Sequence, residues 1–493
     1  NLYLYIYDGH HHGLMFSNAL DLINGKLPYK EIFIQYGLLT TVIHSSILLL
    51  LEKNIYFINL ITIFIYFNSL LLVYLITKKF TNNFFALTAF LALIFNHPIP
   101  WLPWSNYIAF FFILLAVYLF SKMNRCSSFF LGFFLSLAGL ARQDYFIPII
   151  LTLILFGLIV FLEKKKFNEI KIIEVFLGFL TPIVIFILYL LSNEIFFIWI
   201  KYLKIPFIYL DNFNSDFFSM SSDFIKFFLV ESLTDFIVKP QYFLIFIILF
   251  SNIFFLVSCF KKKNLTLLLI SLLSLFLSIV SLNTEMFRLY TSVSIGIISC
   301  LYLIYTFKSL ELKKIFLFLI YISSFFSIIF YPYGNNNNFK KNIKVNILEL
   351  SEIEFFKYQK WPVGKAKSII TLYNFKKQLV QNCKIEYAEN LTFDIYYQSI
   401  LDLKRTRLFP FLKNDKNGFV LDKYFNKNFI EKIKDQIDKE NIILLVPTDS
   451  QVFESEKIFY MTNYSYYLIN ISRIGDKPDI LKFYYPTKCN IKP

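Results

Sequence analysis

Between residues 54 and 332 the chain passes through ten apolar runs, at 54–77, 84–97, 105–121, 127–141, 145–162, 172–192, 240–260, 265–283, 287–307 and 312–332. A helix needs about 20 apolar residues to cross a bilayer, and shorter runs are tolerated when packed inside a bundle. Lipid offers no hydrogen bonds, so each run must pair its own backbone groups and fold as a helix. The expectation is a polytopic α-helical membrane protein, with the short runs 84–97 and 127–141 held inside it. Composition agrees: 57% of residues are hydrophobic, 17% are charged and 62 of 493 are Phe, more apolar surface than a soluble core would bury. Heavy use of Phe, Ile, Asn and Lys resembles drift in an AT-rich genome, so one Phe or Lys carries little functional weight. Leu2 to Tyr7 reads as the tail of an apolar segment, and a first helix or signal anchor is expected ahead of Asn1.

The formal charge of +15 suggests nucleic acid only until the lysines are located. Lys78 and Lys79, Lys122 and Arg125, Lys164 to Lys166, Lys261 to Lys263, and Lys308 with Lys313 and Lys314 fall at every second junction. That places all five clusters on one side, the cytoplasmic one, and makes the bilayer rather than nucleic acid the partner. The other junctions carry little charge beyond Arg142 and Arg288, and include a Pro98 to Pro103 turn with Trp101 and Trp104. In residues 37–51, Thr40, Thr41, His44 and Ser45 share one helical face, with Leu39, Val42, Ile43, Ile47 and Leu50 largely on the other. This reads as a helix lying in the interface. Residues 8–36, the loop 193–239 and everything after Tyr331 are then expected outside.

The chain changes character at Tyr331-Pro332-Tyr333-Gly334, followed by Asn335 to Asn338, a polar linker. A membrane-embedded domain over 1–332 and an extracytoplasmic α/β domain over 333–493 are expected. In the second, a helical pattern at 427–439 precedes the buried-strand run Ile442 to Pro447, and alternating segments follow at 464–474 and 480–485. Of five cysteines, Cys126, Cys259 and Cys300 belong to the bundle. Cys383 and Cys489 fall in the exported domain, where an oxidising compartment would let them pair; two unpaired buried thiols are the equal alternative.

The first outer loop holds the densest chemistry: Tyr7-Asp8-Gly9-His10-His11-His12-Gly13, then Asn24-Gly25-Lys26-Leu27-Pro28-Tyr29-Lys30-Glu31, then Gln35-Tyr36-Gly37 before the interfacial helix. This order of motifs resembles the GT-C superfamily of membrane glycosyltransferases, most of all the branch of protein O-mannosyltransferases and lipid A aminoarabinose transferases. The resemblance covers the topology of residues 1–332, with its sharp motif in 7–37. It implies a sugar donor carried on a polyprenyl phosphate and a catalytic base at Asp8, with Glu31 where relatives often carry a second acid. Gly9 and three histidines follow Asp8 where many relatives show Asp-Glu, which leaves the second carboxylate and any metal in doubt.

Transfer to a hydroxyl needs a carboxylate to take its proton and cations to hold the departing phosphate. Asp8 can be the first. Arg142 and Arg288 are candidates for the second, being lone charges at a depth where a charge needs a partner. His11, His12, Gln35, Tyr36, Gln143 and Asp144 are expected to line the same space. Each has a structural alternative: Asp8 as a cap, Arg142 paired with Asp144, Arg288 paired with Glu285. His11 and His12 could hold a divalent metal with Asp8, although adjacent histidines on a regular element diverge. The leading expectation is an inverting transferase that moves a sugar from a polyprenyl-phosphate donor to a glycan, lipid or protein acceptor outside a bacterial inner membrane. A multi-pass transporter or flippase would place its polar residues at mid-membrane. An oligosaccharide polymerase or ligase would lack so large an exported domain.

Overall fold

The computed structural model describes residues 11–97, 103–122, 126–162, 172–205, 208, 240–259, 264–280, 286–334, 347–349, 353–358, 360–383, 385–392, 395–409, 420–447, 459, 461–471 and 479–489. Two helices precede the bundle, α1 (His11–Ile23) and α2 (Leu38–Leu50). The bundle comprises α3 (Ile55–Phe80), α4 (Asn83–Phe95), α5 (Ser105–Ser121), α6 (Ser127–Ala141), α7 (Phe146–Leu162), α8 (Ile172–Ser192), the short α9 (Phe196–Tyr202), α10 (Pro240–Cys259), α11 (Leu265–Val280), α12 (Met286–Val293), α13 (Ile297–Thr306) and α14 (Leu310–Gly334). Among the described residues six spans are long and apolar enough to cross a membrane: 55–80, 143–162, 172–192, 240–257, 288–306 and 310–329. The chain is a polytopic membrane protein with a small C-terminal α/β domain.

The short helices are tolerated because they pack on longer neighbours, α4 on α3, α13 and α14. Helix α4 has 13 residues, about 20 Å at 1.5 Å per residue, against a hydrocarbon layer of about 30 Å. Helix α6 packs between α5 and α8, and its crossing with α8 depends on missing side chains: a Cβ on Gly132 would stand 1.9 Å from the Val175 carbonyl oxygen, and one on Gly178 2.0 Å from that of Phe129. The apolar run at 287–307 is interrupted by a 3-10 turn at Ser294–Gly296. Side chains take the carbonyls freed there: Asn252 Nδ2 donates to Gly296 O at 3.1 Å and Ser274 Oγ to Val293 O at 3.0 Å.

The described members of the five lysine clusters lie at one end of the bundle. Lys79 at the end of α3 reaches the Ser121 carbonyl at the end of α5, beside Lys122, and Lys313 in α14 lies 5.7 Å from the Tyr305 ring at the end of α13. Arg125, Lys164 to Lys166 and Lys261 to Lys263 lie outside the described residues. Helices α1 and α2, Arg142, Arg288 and the C-terminal domain occupy the opposite end.

Helix α2 turns its polar face inward. Thr40, Thr41, His44 and Ser45 are buried against the protein, while Val42, Leu49 and Leu50 are exposed. Thr40 Oγ1 donates to Ala141 O at 2.9 Å and Ser45 Oγ to Ala19 O at 3.2 Å. The stretch 8–36 is not all loop, since α1 fills residues 11–23. Helix α14 continues through the Tyr331 to Gly334 junction; Asn335 to Asn338 lie outside the described residues.

The C-terminal domain begins with a two-stranded ribbon, β1 (Ile347–Glu349) with β2 (Lys360–Pro362), and helix α15 (Val363–Asn382). Strand β3 (Tyr387–Asn390), α16 (Tyr396–Leu401), α17 (Val420–Phe425), α18 (Phe429–Asp438), β4 (Ile442–Pro447), β5 (Tyr464–Ile471) and β6 (Asp479–Pro486) complete it. The main sheet has the order β3-β4-β6-β5, with β3 and β4 parallel and the rest antiparallel. Helix α18 buries Phe429, Ile433 and Ile437, the i, i+4, i+8 stripe of a helix laid on a sheet. Cys383, past the end of α15, is bonded to Cys489, past β6, with Cα atoms 5.5 Å apart.

One ion pair lies inside this domain. Arg407 Nε donates to Glu389 Oε2 at 2.8 Å with both side chains 0% exposed, Thr406 Oγ1 donates to Glu389 Oε1 at 2.7 Å, and Arg407 Nη2 donates to Asn390 O at 2.6 Å. Removing one member of such a pair leaves a buried charge without its counterion. Glu389→Gln is expected to destabilise the C-terminal domain by about 3–5 kcal/mol, read as a lowered denaturant midpoint for that domain; an unchanged midpoint would count against the pair as an anchor.

Candidate functional site

The segment from Asn24 to Gly37 links α1 to α2 and is tightly built. Lys26 N donates to Asp21 O at 3.1 Å, and Glu31 N to Leu27 O at 2.8 Å. Tyr29 takes a left-handed φ of 66°, a conformation that costs a non-glycine residue energy. It is held there by its own amide on Ile32 O at 3.0 Å and by the Tyr202 hydroxyl, which donates to Tyr29 O at 3.1 Å. Burial raises the pKa of both phenols, so Tyr29 and Tyr202 stay protonated. The Glu31 carboxylate accepts the Leu27 amide at 2.8 Å and closes this turn from its exposed side.

Beyond the turn the chain lies on the junction of α6 and α7. Gln143 N donates to Tyr36 O at 2.9 Å and Gln143 Nε2 to Gln35 O at 3.2 Å. Gly37 permits this approach, because a Cβ there would sit 2.3 Å from Leu140 O and 2.5 Å from Ala141 O. Arg142 is 3% exposed, donates from Nε (3.1 Å) and Nη2 (2.8 Å) to Asp144 Oδ2, and has the Tyr36 and Tyr145 rings 5.7 and 5.2 Å from its guanidinium carbon. Two of its five N–H donors serve Asp144.

The second arginine belongs to the same region. Arg288 is half-buried in the first turn of α12, where its carbonyl accepts from Ser292 Oγ at 2.7 Å. Ser292 Oγ also lies 2.9 Å from the Tyr145 hydroxyl, whose ring flanks Arg142. Gln35, Tyr36, Arg142, Gln143, Asp144 and the segment bearing Arg288 are thus brought together. His11 lies edge-on to Trp104 with ring centres 4.8 Å apart, and His12 is buried in the first turn of α1. Among the described residues no three His, Cys, Asp or Glu side chains are placed to hold a metal ion. Asp8 and Glu285 lie outside the described residues.

A second charged cluster, not anticipated from the sequence, joins this region to the C-terminal domain. Asp21 on α1 accepts from Arg405 Nη2 at 2.7 Å and from Lys26 Nζ at 2.5 Å, with Arg405 and Asp21 5% and 12% exposed. A small cavity beside the pair is lined by Ser17, Asn24, Gln398 and Ser399. Nearby Lys376, its pKa lowered by burial against the opposing pull of Asp402, faces that carboxylate at 3.8 Å. The signal for Arg405 was present: the chain holds only six arginines, so Arg405-Thr406-Arg407 stands out. Asp21 interrupts the apolar run Ala19 to Ile23, where a carboxylate needs a partner.

This architecture, a polytopic helical bundle followed by a small α/β domain, is one that solved structures share. The chain is similar in structure to ArnT from Cupriavidus metallidurans bound to undecaprenyl phosphate, at TM-score 0.60 and 8% identity, covering 98% of this chain and 95% of that one. Against ArnT in the apo state the TM-score is 0.56, again at 8% identity, with 97% and 93% covered. No family model matches the chain, and no curated relative does.

Gly37→Ala tests the docked segment. The added Cβ cannot clear two backbone carbonyls, so Tyr36 is expected to lift from Arg142 and the Gln143 amide to lose its acceptor. Hydrogen exchange at Gln143 should quicken while the α3–α5 helices keep their protection; equal protection in the variant would show that the segment is not held this way.

Proposed function

We propose that this protein is an inverting glycosyltransferase that moves a sugar from a polyprenyl phosphate to an acceptor hydroxyl at the outer face of a bacterial inner membrane. The observation that carries this reading is the likeness, over nearly the whole chain, to a transferase fold with undecaprenyl phosphate bound, combined with two arginine-bearing segments joined through Tyr145. The lysine-bearing end is then cytoplasmic, and the end with α1, Arg142, Arg288 and the C-terminal domain is outside.

In this reaction the acceptor oxygen bonds to the anomeric carbon as the sugar–phosphate bond breaks. The polyprenyl phosphate leaves with the electron pair, and the acceptor proton passes to Asp8. Arg142 and Arg288 hold the phosphate before and during transfer. Arg142 is suited to this because Asp144 and the two tyrosine rings fix its plane in advance, so little reorganisation accompanies binding. Glu31 shapes the turn that carries Tyr36 to Arg142. The acceptor is a glycan, lipid or protein hydroxyl. His11 and His12 remain candidates for a divalent metal only together with Asp8.

Inner-membrane vesicles supplied with a labelled polyprenyl-phosphate sugar should transfer label to endogenous acceptors. Asp8→Asn keeps size and hydrogen bonding but removes the base, and is expected to slow transfer by roughly 10²- to 10⁴-fold at unchanged protein level. Arg142→Gln should also weaken undecaprenyl-phosphate binding, because the phosphate is charged in the ground state as well. Full transfer by Asp8→Asn would end the assignment of the base, and a wild type that moves the carrier lipid across the bilayer without transferring sugar would favour a flippase.

A further inference from the structure

Arg405 joins parts of the molecule that are 384 residues apart. Its Nη2 donates to Asp21 on α1 at 2.7 Å and to the Glu31 carbonyl at 3.4 Å, so one guanidinium grips both sides of the α1–α2 connection. Its own loop is anchored immediately downstream, where Thr406 and Arg407 close on the buried Glu389. Two residues further, Phe409 packs on Phe33 with ring centres 4.2 Å apart. From Glu31 the chain runs through Ile32, Phe33 and Ile34, all buried, to Tyr36, whose ring lies against Arg142. A continuous mechanical path therefore leads from the core of the C-terminal domain to the cation assigned to the donor phosphate.

We infer that Arg405 is a positioning residue: the C-terminal domain, through Arg405 on Asp21 and the Glu31 carbonyl, sets the segment that holds Tyr36 on Arg142, and so tunes binding of a lipid phosphate. The inference rests on the proposed function. It makes the C-terminal domain a working part of the donor site. The energetic requirement supports it, since a guanidinium this enclosed stays at the interface only while its carboxylate partner is there.

Binding of undecaprenyl phosphate to the full chain in nanodiscs is the test. Arg405→Gln and Asp21→Asn, which cut the contact from opposite domains, should each weaken binding by about 2- to 30-fold, with the melting temperature of the C-terminal domain unchanged. Arg405→Lys, which keeps the charge, should restore part of the loss. Hydrogen exchange should quicken at residues 31–37 in both weakened variants. Lys376→Gln, which removes a different ion pair of the same domain, should leave binding at the wild-type value. Wild-type affinity in either variant, or losses that track only a fall in melting temperature and are matched by Lys376→Gln, would overturn the inference. A wild type that does not bind undecaprenyl phosphate at all would instead remove the proposed function on which it stands.

Discussion

A guanidinium taken out of water must keep an anion beside it, and three arginines of this chain obey that rule at one end of the bundle. Arg142 holds Asp144, Arg405 holds Asp21 and Arg407 holds Glu389, with arginine exposures of 3, 5 and 0%. For Arg407–Glu389, with both side chains fully buried, losing one partner costs about 3–5 kcal/mol, a sizeable share of the roughly 5–15 kcal/mol by which a domain is stable. The Arg405–Asp21 pair ties the C-terminal domain to α1 and Arg407–Glu389 ties its loop to β3, while Arg142–Asp144 fixes the α6–α7 junction locally. Leucine and phenylalanine surfaces can slip past one another at little cost, whereas a buried charge and its partner fix a register.

The helices of the bundle were legible because their constraint is one-dimensional. A run such as 54–77 must pair its own backbone in lipid, and it forms a helix at Ile55–Phe80 whatever its neighbours are. Strand β4 was legible for the same reason, as a short buried run, and α18 by its period. What sequence could not supply was pairing across distance. Nothing near Asp21 in the chain announces Arg405, and nothing near Glu389 announces that it neutralises Arg407. The scarcity of arginine marks those residues as selected, yet only the fold says which carboxylate each one meets.

Helix α2 shows a second limit. Its sequence separates Thr40, Thr41, His44 and Ser45 from the leucines, and amphipathicity of that kind fits two opposite placements. The polar face can look to water, or it can look to protein carbonyls while the apolar face meets lipid. The polar face meets protein carbonyls, because Ala141 O at the end of α6 and Ala19 O within α1 accept from the Thr40 and Ser45 hydroxyls. Periodicity identifies the faces of a helix, and only the local supply of donors and acceptors decides what each face meets.

A whole-chain structural likeness at 8% identity is understandable in these terms. Lipid-facing positions ask only for apolar character, so Phe, Ile and Leu interchange there without altering the helix or its depth. Close crossings demand more, as at Gly132 and Gly178, but a small residue is enough and its exact place can shift with the helix. Among the described residues the ion pairs with buried arginines gather at the end where α1, the turn at Tyr29, the Arg142–Asp144 junction and the Arg405 loop converge. A bundle whose lipid-facing positions ask only for apolar character can retain its architecture after its sequence has ceased to match any family model. The residues that hold that end together, Gly37, Arg142, Asp21 and Arg405, are therefore where two such chains should be compared.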